Sequence, residues 1–167
     1  YAWESYDISG ALEGVYASVI DATSGAVFQS ATLIDATALN PRCIRLGPNP
    51  TLFYLDTSSS PYLLKNIQVD INNPISFNSS NTIVSSVNAT NPTYDIAINS
   101  ADADAGNAVF AYNSNASTTL GVGYITTEGV VGGPSNGYPA VVTVGSTNSN
   151  DLITICTDQV NTDPTDS

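Results

Sequence analysis

Apolar and polar residues alternate along several short stretches of the chain. The run IQVDI at residues 67–71 alternates strictly, and the run YDIAI at residues 94–98 shows a similar pattern. Such alternation buries one face of a strand and leaves the other face in water. No stretch repeats apolar residues at the spacing of a helix over three turns. The pattern therefore predicts an all-β protein.

Turn-forming residues separate the predicted strands. Gly, Pro, Asn, Ser and Thr cluster at residues 22–25, 47–50, 72–74, 91–92 and 134–137, and these residue types favour turns. About ten short strands at this spacing predict a single β-sandwich, Ig-like or pilin-like, with an extended N-terminal arm. The strand-like runs are residues 15–20, 26–34, 43–46, 52–55, 67–71, 82–87, 94–98, 108–112, 120–126, 140–144 and 152–156.

The two ends of the chain differ from its middle. Residues 1–10 hold the only Trp of the chain and two Tyr, and large aromatic side chains favour burial. We therefore predict an N-terminal arm over residues 1–12, a sandwich domain over residues 13–156 and a polar tail over residues 157–167. Docking of the arm on its own domain and docking on a neighbouring copy both remain open.

Composition and charge indicate the compartment and exclude some partners. The chain contains no Met and begins at Tyr1, which predicts that an N-terminal segment was removed, most commonly an export signal. We expect an extracellular or cell-surface protein. The net charge is -12, with three basic residues, which argues against nucleic-acid binding. No apolar run is long enough for direct membrane insertion.

The residues needed for common catalytic mechanisms are missing. Without His, neither a Ser-His-Asp triad nor a Cys-His pair can form. Lys65 has no Ser three residues before it, and its amine is expected to reach solvent. Asp102 and Asp104 alternate before a Gly, which is a weak calcium-loop pattern with an acidic turn as the alternative. We predict no enzyme activity, no catalytic residues and no cofactor.

Two kinds of covalent feature are predicted in an exported chain. Cys43 and Cys156 are the only cysteines, and we expect them to form a disulfide. Asn78, Asn88 and Asn115 each begin an Asn-x-Ser/Thr sequon in a turn-rich stretch, and they are candidate N-glycosylation sites.

The chain resembles archaeal donor-strand filament subunits, the thread-like and pilin-like surface proteins. The resemblance is in its size, its start at Tyr1, its β composition rich in Ser, Thr, Asn and Tyr, its sequons and its N-terminal arm. The resemblance implies a pilin-like sandwich that polymerises head-to-tail with copies of itself. In such a filament, the N-terminal segment supplies a strand to the next subunit. The candidate donor strand is the arm, residues 1–12, or a longer segment up to residue 20 that includes Val15, Ala17 and Val19. The residues expected to anchor it are Tyr1, Trp3, Tyr6 and Ile8.

A secreted carbohydrate-binding or adhesive sandwich is the alternative function. Its partners would be glycans, and exposed aromatic side chains would stack on the sugar rings. Four tyrosines are candidates for this role, with packing in the core or at its rim as the alternative: Tyr54, Tyr62, Tyr124 and Tyr138.

Overall fold

A computed structural model describes residues 1–72, 75–98, 108–115, 119–126, 131–132 and 141–143. These residues form β-strands and no helix, which confirms the all-β prediction. The strands are β1 (Ala2–Tyr6), β2 (Leu12–Ile20), β3 (Val27–Asp35), β4 (Ala38–Leu46), β5 (Asn49–Asp56), β6 (Tyr62–Asp70), β7 (Ser76–Phe77), β8 (Asn81–Val87), β9 (Tyr94–Ile98), β10 (Ala108–Asn113), β11 (Thr119–Ile125), β12 (Val131–Gly132) and β13 (Val141–Thr143).

The strands pair into three antiparallel sheets. The N-terminal sheet has the order β1-β2-β3. The central sheet has the order β4-β5-β6, with β7 and β8 both pairing with β6. The C-terminal sheet has the order β12-β11-β10-β9, with β13 also pairing with β11. Each sheet is thus built from one continuous part of the chain.

The central sheet is covered on both faces. Leu52 and Tyr54 of β5 pack in one cluster with Val15 of the N-terminal sheet. Phe53 and Leu55, which alternate with them, pack in a second cluster with residues of the C-terminal sheet. The unbroken run of apolar residues in β5 is typical of a strand with two buried faces. The fold is therefore sandwich-like with three layers, where the sequence predicted a single sandwich.

A partly buried ion pair joins strands β5 and β6 of the central sheet. The Lys65 Nζ atom is 2.6 Å from Asp56 Oδ2, and their side chains are 19% and 4% exposed. Burial raises the pKa of Asp56, but the Lys65 ammonium and hydrogen bonds from Ser58 and Thr37 outweigh it and hold the pKa well below its usual range. Lys65 was expected to extend into solvent, but it instead neutralises a carboxylate in the interior.

Candidate self-association surface

The predicted arm forms the first strand of a hairpin in its own chain. Strand β1 pairs with β2 in a register that aligns Ala2 with Ala17 and Trp3 with Tyr16. Because side chains alternate along a strand, Ala2 and Ala17 face the central sheet, and Trp3 and Tyr16 face outward. The predicted arm, residues 1–12, covers β1, the turn after it and the first residue of β2.

An apolar row crosses the outer face of the N-terminal sheet. The rings of Trp3 and Tyr16 are stacked, with centroids 6.2 Å apart and planes inclined by 20°. Leu33 of β3 is the register partner of Tyr16 and is 46% exposed. Cross-strand pairs of large side chains stabilise the sheet on which they lie. Here they also form an apolar surface that remains partly exposed to solvent.

The four predicted anchor residues all remain exposed. Tyr1 is 80% exposed, Trp3 is 39% exposed, Tyr6 is 52% exposed and Ile8 is fully exposed. Among the large hydrophobic side chains that are exposed in the described part of the chain, Ile71 alone lies beyond residue 35. Concentrated apolar surface of this kind marks an interaction site. The chain thus leaves uncovered the side chains for which sequence reasoning predicted a partner.

The turn that carries Ile8 is well ordered by hydrogen bonds. Asp7 Oδ1 accepts hydrogen bonds from the Ser9 amide at 2.8 Å, the Ser9 hydroxyl at 2.6 Å and the Ala11 amide at 2.9 Å. These bonds, the Ser9 hydroxyl first, lower the pKa of Asp7. Gly10 has a φ of 82°, which glycine accepts without strain. The turn therefore presents Ile8 on a defined loop.

The charged side chains of the N-terminal sheet are all acidic. Residues 1–35 contain five acids and no Lys or Arg. Glu4 Oε1 accepts a hydrogen bond from the backbone amide of Asn40 on β4 at 2.6 Å. Within the hairpin, Glu13 Oε2 accepts one from the Ser5 hydroxyl at 2.7 Å. The exposed cations of the chain are Arg42 and Arg45, both on β4, because Lys65 is paired internally.

An apolar groove lies at the end of the hairpin opposite its turn. We call it the end groove, and its cavity volume is about 160 Å³. The hairpin contributes Tyr1, Val19 and Ile20 to it, and the central sheet contributes Cys43 and Leu52 among others. Partial burial raises the pKa of the Cys43 thiol. Cys156 lies outside the described residues, so the disulfide remains a prediction.

The three sequons differ in the exposure and hydrogen bonding of their Asn side chains. Asn78 is exposed between β7 and β8, with exposed Ser79 and Ser80 beside it. Asn88 is half-buried, and its Oδ1 accepts hydrogen bonds from the Thr90 amide at 2.8 Å and the Asn91 amide at 3.0 Å. Asn115 is exposed, but the next two residues of its sequon lie outside the described residues.

We expect Asn78 to carry more glycan than Asn88 when the chain is produced in a glycosylating host. The reason is that the Asn88 amide shapes its own turn, whereas the Asn78 side chain projects from a surface loop. Intact-mass measurement should show one glycan mass lost in Asn78→Gln and little change in Asn88→Gln. Equal losses from the two variants would contradict this ranking, and Asn115→Gln completes the series.

The tyrosines proposed for sugar stacking occupy different environments. Tyr54 is 1% exposed and packs in the core, so it is not available for sugar stacking. Tyr62 is half-buried and packs against the other core cluster. Tyr124 is also half-buried, and Tyr138 lies outside the described residues. Within the described ranges, the exposed aromatic side chains are instead those of the N-terminal sheet, namely Tyr1, Trp3, Tyr6 and Phe28.

Neither a metal centre nor a membrane-spanning helix is found in the described ranges. No group of three or more acidic, His or Cys side chains lies close enough there to bind a metal ion. The calcium candidates Asp102 and Asp104 fall outside those ranges. The same ranges contain no helix that is long and apolar enough to cross a bilayer.

Comparison of the chain with known protein families, curated proteins and solved structures finds no match.

Proposed function

We propose that this protein is a structural subunit of an extracellular filament, which polymerises head-to-tail through its N-terminal segment. The observation that supports the proposal is the exposure of Trp3, Tyr6 and Ile8 on the hairpin. Each aromatic side chain removes roughly 150–250 Å² from water when it is fully buried. At about 25 cal/mol per Å² of apolar surface, two or three such side chains contribute several kcal/mol to each junction.

Two forms of junction use the same side chains. In strand donation, as the sequence predicts, β1 leaves β2 and pairs with a neighbouring subunit. In docking of the intact hairpin, β1 stays paired with β2, and the whole hairpin inserts into a neighbouring subunit. Strand donation must break the β1–β2 register and the hydrogen bond from the Asn40 amide to Glu4. Hairpin docking preserves both, so the geometry of the single chain favours it.

Electron microscopy of the purified chain provides the test. We expect fibres from the unmodified protein and monodisperse particles from the triple variant Trp3→Ser, Tyr6→Ser and Ile8→Ser, because the variant removes the apolar contact. The matched control is Ile71→Ser, which changes an exposed apolar residue outside the N-terminal sheet. Fibres from the triple variant, or no fibres from the unmodified protein under any assembly condition, would contradict the proposal.

A secreted carbohydrate-binding module is the second candidate, and one observation favours it. The stacked Trp3 and Tyr16 rings form an exposed aromatic platform of the kind on which sugar rings pack. This function predicts monodisperse particles whose tryptophan fluorescence changes on titration with oligosaccharides. Trp3 is the only Trp in the chain, so such a change would report on this platform directly.

A further inference from the structure

We propose that the end groove of one subunit receives the hairpin turn of the next, with Ile8 as the side chain that enters it. This inference rests on the proposed filament function and names the contact that builds the filament. The occupant is therefore a second copy of this chain. Four properties of the described residues support the assignment: position, size, charge and rigidity.

The turn and the groove lie at opposite ends of the same hairpin. Strand β2 has nine residues, and at about 3.3 Å per residue it separates the two features by roughly 25–30 Å. The turn spans residues 7–11, whereas the groove is formed around Tyr1 and the end of β2. A contact between two different surfaces repeats from copy to copy, and it builds a filament when the rotation between copies does not close a ring.

The groove matches one branched aliphatic side chain in size and polarity. Its cavity volume is about 160 Å³, and an apolar protein cavity of about 150 Å³ is known to hold a benzene-sized molecule. Val19, Ile20 and Leu52 supply apolar lining. Ile8 is the most exposed large hydrophobic side chain in the described part of the chain. A fully exposed Ile and an unfilled apolar groove complement each other.

The turn end is acidic, and the groove end carries a cation, Arg45, beside one acid, Asp21. The ionisable side chains of the hairpin that carry charge at neutral pH are acidic, namely Glu4, Asp7 and Glu13. At the other end, Arg45 is exposed and is the register partner of Pro50, which lines the groove. In a chain with a net charge of -12, two copies repel each other at long range. An acidic turn that approaches Arg45 of another copy is attracted to it, and this local attraction orients the two copies as they meet.

The turn is already ordered before it docks. The hydrogen bonds that Asp7 accepts from Ser9 and Ala11 hold the loop in one conformation. A preorganised anchor loses little conformational freedom on binding, which favours affinity. An Ile on a disordered loop would not have this advantage.

Disulfide trapping tests the contact, because the groove already contains a thiol. In a Cys156→Ser background, Cys43 is the only cysteine, and Ile8→Cys adds a second one at the turn. We expect oxidation of assembled protein to give a ladder of dimers, trimers and higher species on a non-reducing denaturing gel, which collapses on reduction. The background alone and the background with Ser30→Cys, an exposed β3 position, are the controls.

Each outcome of trapping is informative. Fibres without a ladder would overturn the inference and leave the proposed filament function standing. A ladder that stops at the dimer would show a closed contact and would also overturn the inference. Absence of fibres from the unmodified chain and from the single-cysteine background, together with absence of a ladder from the Ile8→Cys variant, would count against both proposals.

A second measurement avoids changes to the cysteines. In the otherwise unmodified chain, Ile8→Ser is expected to raise the critical concentration for assembly about tenfold or more, whereas Ile8→Leu changes it little. Ile8 touches no core cluster, so neither variant should alter the fold. Equal critical concentrations for the two variants would overturn the inference.

Discussion

Replacement of Lys65 by Met is expected to lower the free energy of unfolding by about 3 kcal/mol, the lower end of the range for removal of one partner of a buried ion pair, because Lys65 is 19% exposed. The variant leaves Asp56 charged in a site where its side chain is 4% exposed. Urea denaturation at neutral pH measures the change. Arg45→Met is the matched control, because it removes a cation from an exposed position. Equal effects of the two variants would contradict the role of the pair.

The pH dependence of stability gives an independent check on the same pair. The folded-state pKa of Asp56 lies below its unfolded value, so its contribution is complete above the unfolded pKa of about 3.9. That contribution is lost as the pH falls through the lower, folded-state pKa. The free energy of unfolding of the unmodified protein should therefore fall as the pH is lowered below about 4. In Asp56→Asn it should fall less over the same pH range.

Gly14→Ala is the second substitution with a large expected effect. Gly14 has a φ of 125°, and a Cβ atom there would collide with the Asp35 carbonyl oxygen and lie 2.7 Å from the Ala36 Cα atom. Backbone strain of about 1–3 kcal/mol and overpacking of about 1–3 kcal/mol together predict a loss of roughly 2–6 kcal/mol. The loss should appear in the denaturation midpoint.

Gly10→Ala is the matched control for Gly14→Ala. Gly10 also has a positive φ, of 82°, but a Cβ atom there would meet nothing within 4 Å. The control should therefore show only the cost of the left-handed conformation, about 1–2 kcal/mol. If the two variants lose the same stability, the close approach of β2 to the β3–β4 connection is not what requires glycine at position 14.

Much of the strand pattern could be predicted from the sequence, because alternation is a local signal. Strand β9 has the predicted bounds, residues 94–98, and Ile67 and Val69 are buried as their alternation predicted. The third layer could not be predicted, because an unbroken apolar run such as β5 shows that both faces are buried but not what covers them. The burial of Tyr54 could not be settled from the sequence for the same reason, since this side chain is covered by the N-terminal sheet.

The candidate site was partly visible in the sequence. Clustered aromatic residues marked the first eight residues, and Trp3 and Tyr6 are exposed as a partner-binding segment requires. The end groove was not visible, because it brings together β2, β4 and β5, and their register is set by long-range pairing. The Asp56–Lys65 pair was missed for the same reason: the two residues are diagonal neighbours on paired strands.

The succession of the three sheets along the chain has a consequence for folding. Apart from β6 with β8 and β11 with β13, the strand pairings of the described residues join consecutive strands. Mostly local pairing gives a low contact order for a β-protein, which favours rapid formation of each sheet. During synthesis the N-terminal sheet emerges first, before β5 exists to cover Val15 and Ala17. The nascent chain therefore passes through a stage in which a finished sheet exposes apolar side chains on both faces, and this interval is when protection from aggregation matters most.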